Sequence, residues 1–148
     1  MTVQLPIPEG FKLINRGGPF IAMFGPLYYK KQEQGCSIIA LRIEDKHLNI
    51  RGIAHGGMLV TLADSALGIA LSMSRTPPQP MVTVNLTTDF VDSAHPGDWV
   101  EAHVDIQRVG KRMAFANCYL HVGEKRILRA SGVFALMPPV KPKEDFEG

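Results

Sequence analysis

Net charge, cysteine and uninterrupted apolar runs are all scarce in this chain, and each shortage closes off a class of function. The 16 Lys and Arg against 14 Asp and Glu leave a formal net charge of only +2, too balanced for a nucleic-acid groove. Two cysteines, Cys36 and Cys118, are too few for a framework of several bridges, so buried free thiols are expected. Paired-cysteine spacings and a His-Glu-x-x-His run are missing, and no metal is expected. The Gly-x-Ser-x-Gly elbow of serine hydrolases, a P-loop and a dinucleotide glycine fingerprint are missing as well. The first residues lack the basic start and apolar run of a signal peptide. No stretch reaches the roughly 18 uncharged apolar residues of a membrane span, because Asp64 and several hydroxyls interrupt the longest one. A cytoplasmic protein with neither membrane nor nucleic-acid partner is the expectation. Its 148 residues suit one domain with a real core.

What is present gathers around Asn49-Ile50-Arg51-Gly52-Ile53-Ala54-His55-Gly56-Gly57 and the run 58–73 that follows. That run has no proline and is rich in Leu, Ala and Met, which lose little freedom in a helix. It is also far longer than a buried strand. The predicted helix is apolar nearly all round, the mark of an element wrapped by other structure. Between residues 52 and 74 the one formally charged side chain is Asp64. Helical spacing puts Gly57, Thr61, Gly68 and Leu71 on about the same side. A carboxylate inside a core helix is costly unless something needs it. Either Asp64 caps a loop or bonds a buried hydroxyl, or it does chemistry. The small residues beside it favour chemistry, since they let a backbone or a flat ligand come close.

Residues 1–18 read as an extended lead-in ending at the break Gly17-Gly18-Pro19, 19–138 as the domain, and 139–148 as a charged, disordered tail. Strands are predicted over 27–32, 36–43, 81–91, 99–108, 113–122 and 126–136. In 81–91, strict alternation would put Val82, Val84, Leu86 and Phe90 on one face and Thr83, Asn85, Thr87 and Asp89 on the other. Successive hairpins make the sheet antiparallel, and a single apolar helix is buried only if the sheet curls around it. The expected class is α+β, with about six strands around one long central helix.

Asn49-x-x-Gly52-x-x-His55-Gly56-Gly57, with Asp64 seven residues further on in an apolar helix, resembles the hotdog-fold thioesterases of the PaaI type. The likeness runs from about Phe20 to Leu136. It implies an acyl-CoA thioester hydrolase whose active sites are shared across a dimer that often pairs again into a tetramer. No cofactor is implied, because coenzyme A is part of the substrate.

The chemistry of thioester cleavage agrees. Negative charge develops on the carbonyl oxygen and must meet fixed donors. A helix N-terminus supplies unpaired N–H groups and the positive end of the dipole, and Gly56 and Gly57 keep side chains out of the approach. The Gly57 amide is the leading candidate donor, set against glycines needed only for a tight turn. Asp64 would be the base that activates water, or a nucleophile that forms an anhydride. Gly57 and Asp64 lie about 10 Å apart along one helix, whereas reacting atoms must sit about 3–3.5 Å apart. Two antiparallel copies about a two-fold axis would solve this, so an obligate dimer with composite sites is predicted.

His55 either acts as a base or, as favoured, bonds backbone and holds the entry loop. Asn49 could brace the loop or give its amide to the carbonyl, and the resemblance supports the carbonyl. Thr83 stands where the family commonly has a serine or threonine beside the attacking water, though a strand threonine needs no such role. Coenzyme A phosphates call for Arg or Lys. Arg108, Lys111 and Arg112 at one turn, or Lys125, Arg126 and Arg129 at another, could supply them. Met58, Leu59, Phe20, Phe24 and Phe90 could line an acyl pocket or belong to the core. The rival functions are an acyl-CoA binder without turnover and a hotdog hydratase or dehydratase. A pure binder needs no buried carboxylate, and a hydratase would want an Asp–His pair placed differently.

Overall fold

In chain order the elements are β1 (Lys12–Leu13), α1 (Gly18–Phe24), β2 (Tyr28–Lys30), β3 (Ile38–Arg42), a 3-10 turn (Asp45–His47), α2 (Gly56–Met73), β4 (Met81–Phe90), β5 (Trp99–Val109), β6 (Met113–Val122) and β7 (Lys125–Leu136). They are seen in a computed structural model that describes residues 5–139. Most of the expected tail, from residue 140, lies outside the described residues.

The strands form one antiparallel sheet of seven in the order β1-β2-β3-β5-β6-β7-β4. The seventh strand comes from the lead-in, where Lys12 and Leu13 pair with Tyr29 and Tyr28. A second departure is α1. Gly17-Gly18-Pro19 read as a break, yet proline in the first turn of a helix is well placed, since its missing N–H would be unpaired there anyway.

The sheet packs around α2 with an inner face that mixes Leu41, Leu120, Leu128 and Phe134 with small or slender residues. Val100, Ala102, Ala114, Ala116, Cys118 and Ala130 are all buried there. Against them α2 buries Met58, Leu59, Leu62, Ala63, Ala66, Leu67, Ala70 and Leu71, a stripe recurring at helical spacing. Gly132 of β7 marks a close approach, since a methyl group there would sit 2.8 Å from Phe134 and 2.9 Å from Leu67.

The helix is less enclosed than its composition predicts. Thr61, Asp64, Ser65 and Gly68 are only half-buried, and Gly57 is exposed. By length and composition α2 could cross a membrane, but here it is the core helix of the sheet, with 44% of its residues buried.

In β4 the predicted alternation breaks. Thr83 pairs with Phe134 but Asn85 pairs with the next residue, Val133, so Val84 is an extra residue. Such a bulge resets which face each side chain takes. Thr83 and Leu86 therefore share the helix-facing side, and Asn85 turns outward.

Candidate active site

Two groups of residues stand out, at different heights along α2. The lower group centres on Asp64. Its Oδ1 accepts a 2.6 Å hydrogen bond from the Thr83 hydroxyl, which the β4 bulge aims toward the helix. No donor among the described residues takes Oδ2. The pair opens into a cleft of about 430 Å³, with Thr61 and Ser65 as further polar lining. Its apolar walls are Val60 of α2, Leu86 of β4, and Phe20 and Ile21 of α1. Thr61 has its own hydroxyl bonded to the Gly57 carbonyl at 2.9 Å.

The upper group gathers at the helix N-terminus. His55 is the N-cap, and its Nδ1 accepts the Gly57 N–H at 2.9 Å. A neutral ring accepting at Nδ1 carries its proton on Nε2, so His55 has no lone pair left for use as a base. The Gly57 amide, expected as a free donor, is the group so capped. The Gly56 N–H, one position earlier, has no intrahelical partner. Asn49 Oδ1 accepts from Arg51 N at 2.9 Å and from Ile53 N at 3.4 Å. That fixes the amide orientation and leaves Nδ2 as a donor. Behind it, the buried His47 accepts the Glu44 N–H at Nδ1 and bonds the Phe24 carbonyl through Nε2 at 2.6 Å, so the loop is tied to α1.

Asn49, His55 and Gly57 do not line the Asp64 cleft. Within one chain the site is split, as the roughly 10 Å helical rise between Gly57 and Asp64 requires. Met58, expected near the acyl group, is buried in the core, as are Leu59 and Phe24. Phe90 lies over Gly56, where a methyl group would come within 3.2 Å of its ring.

The two basic turns differ in their partners. Lys125 lies 3.8 Å from Asp92, and Arg129 donates to Asp89 at 2.7 Å. That bond and the Asp89 charge raise the Arg129 pKa. Arg126 stacks over Tyr119 at 4.1 Å. Arg108, Lys111 and Arg112 are exposed and make no ion pair among the described residues. Arg75, beyond the end of α2, joins them by donating to the Gly110 carbonyl at 2.8 Å. Sequence reasoning missed Arg75, and nothing local signals a bond to a residue 35 positions away. It also missed Ile21 and Gly17, whose helix went unread.

An antiparallel sheet curled round one long helix is the hotdog fold, and the carboxylate of that helix lines a cleft. Residues 51–128 match the Thioesterase superfamily, and the chain belongs to that family and is a thioester hydrolase by kinship. It is 49% identical to the Pseudomonas aeruginosa protein "Putative esterase PA0474" over 90% of this chain and 99% of that one. It is 32% identical to mouse Acyl-coenzyme A thioesterase 13 over 54% of this chain and 56% of that one. A solved structure of a point mutant of the phenylacetic acid degradation protein PaaI from Thermus thermophilus superposes with a TM-score of 0.71 at 26% identity. That likeness covers 81% of this chain and 100% of the PaaI chain.

Proposed function

We propose that this protein hydrolyses acyl-CoA thioesters, with Asp64 of one subunit working against the α2 N-terminus of another. The observation that carries the proposal is the Asp64–Thr83 pair. The threonine fixes one carboxylate oxygen and leaves the other facing a cleft. In the base form of the reaction, Oδ2 takes a proton from water while the oxygen of that water bonds to the carbonyl carbon. The intermediate then expels the thiolate, which takes the proton, leaving acid and thiol. In the nucleophile form, Oδ2 bonds to the carbonyl carbon and the thiolate leaves; water then opens the anhydride, its proton passing to the thiolate, so that acid, thiol and the free Asp64 carboxylate result. Asp64 supplies either route without a resident cofactor, which suits a cytoplasmic enzyme whose coenzyme A arrives with the substrate.

The developing oxyanion meets the Asn49 amide and the first N–H groups of α2. The Gly57 hydrogen is shared between His55 Nδ1 and the arriving carbonyl oxygen, so the ring lone pair stays engaged and His55 is a positioning residue rather than a base. Dimer formation is supported by β4, a sheet edge that leaves Val82 49% and Val84 56% exposed. Long apolar edges of this kind are ordinarily covered. Pairing two β4 strands about a two-fold axis would run the two α2 helices antiparallel, and two such dimers could form a tetramer. Arg108, Lys111 and Arg112, joined by Arg75, are the better phosphate contacts, since acids already occupy Lys125 and Arg129.

Thiol release from a panel of acyl-CoAs tests the reading. Asp64→Ala should lower turnover about 10²–10⁴-fold, the usual contribution of a general base, with an unchanged melting curve. Near-normal turnover in that variant would rule out the mechanism.

A further inference from the structure

We infer that the acyl group does not stop in the Asp64 cleft but continues past α1 into a second cavity, so that α1 sets the acyl length the enzyme accepts. The inference rests on the thioesterase reading and deepens it. The second cavity measures about 870 Å³, roughly twice the 430 Å³ of the cleft, and holds none of the residues assigned to the reaction. The two cavities share Gly17 and Ile21 as walls. The cavities thus adjoin at the start of α1, and a chain lying in the cleft with its carbonyl near Asp64 would have to pass only Gly17 and Ile21 to reach the second one.

The far cavity suits a hydrocarbon. Leu13, Ile14, Ala22, Pro26 and Leu27 line it. Of its two basic lining residues, Lys46 is occupied, its ammonium bonded to the Gly25 carbonyl. Arg16 stands exposed. Gly17 adds no side chain where the two cavities adjoin. A methyl group there would sit 2.8 Å from the Ile21 side chain, and its φ of +153° disfavours other residues. That junction is also held in place, because His47 and Lys46 bond the last turn of α1 and the residue after it. The occupant that fits is the distal part of a medium-to-long unbranched acyl chain, its head at Asp64 and its tail beside Ala22.

The test uses S-alkyl thioethers of coenzyme A with four-, eight- and twelve-carbon chains, which bind without being cleaved. Wild-type affinity, measured by calorimetry, should rise with length by roughly fourfold per methylene newly buried. Ala22→Trp fills the far cavity from an exposed position and should erase most of the gain between eight and twelve carbons. Met23→Trp makes a similar change on the same helix at a residue lining neither cavity, and should keep the gain. Equal wild-type affinity at all lengths, no binding at any length, or a gain that survives Ala22→Trp would each overturn the inference. If Ala22→Trp fails to fold, the wild-type series alone decides. Hydrolysis of the matching acyl-CoAs is scored separately. Length-dependent thioether binding without turnover would sink the thioesterase reading and leave the tail site standing.

Discussion

At Asp64 the division of labour between two oxygens matters more than the charge itself. Oδ1 is held by Thr83 at 2.6 Å, so losing that hydroxyl should loosen the carboxylate without removing it. Thr83→Ala is expected to lower kcat roughly tenfold, in line with one hydrogen bond to a charged group, while Asp64→Ala costs far more. His55 carries the complementary expectation. Its ring caps α2, so His55→Ala should lower stability by about 1 kcal/mol, seen as a lower Tm, with kcat held within about tenfold. A loss as large as that of Asp64→Ala would instead make the ring a direct participant. The two cysteines separate on accessibility. Burial pushes the Cys118 thiol up to about 12, while Cys36 is only partly covered. A thiolate-seeking reagent should label one cysteine in the native protein and two after unfolding. On the outer sheet face, burial first, then His103 and Arg126, lowers the His121 pKa below its ordinary 6.5, only partly offset by Glu101. The unfolded chain then binds that proton more readily. The contribution to stability is complete above pH 6.5 and is lost as pH falls toward the folded value. His121→Gln should flatten that part of a Tm-against-pH curve.

Among the elements, α2 and β7 pack with little room at Gly132. Adding a methyl group against Phe134 and Leu67 overpacks the core, so Gly132→Ala should cost about 1–3 kcal/mol, read from urea unfolding midpoints. An unchanged midpoint would mean that Leu67 can swing away freely. The bulge at Val84 shows why strand patterning read from residues alone went astray in β4. Alternation locates a strand and assumes an unbroken pleat, but one inserted residue moves every later side chain to the opposite face. Thr83 reaches Asp64 because of that insertion. The same limit applied to α1, where Gly and Pro signal a turn and a helix start equally well, and packing against the 3-10 turn decided between them.

For the whole molecule, the open side of α2 and the uncovered β4 edge lie together beside the cleft. This is where a second copy would complete the site. Mixing a Gly57→Val variant with Asp64→Asn under conditions of proven subunit exchange should restore activity, since one heterodimer site has both intact groups. No recovery would place the whole reaction within one subunit. A valine at Gly57 acts directly on the cap, because even its Cβ would come within 3.1 Å of the His55 ring.

The residues by themselves settled the antiparallel sheet, the long central helix, and the Asn49-to-Asp64 string that carries the family likeness. All of these rest on local propensity and period, which neighbouring residues encode. Only the folded chain decided that Thr83 faces Asp64, that His55 holds the Gly57 amide, and that Arg75 joins a distant basic turn. The tertiary structure also set α1 between two cavities. Each of those facts depends on contacts between residues far apart in sequence, whose distances are fixed only when the sheet closes around α2.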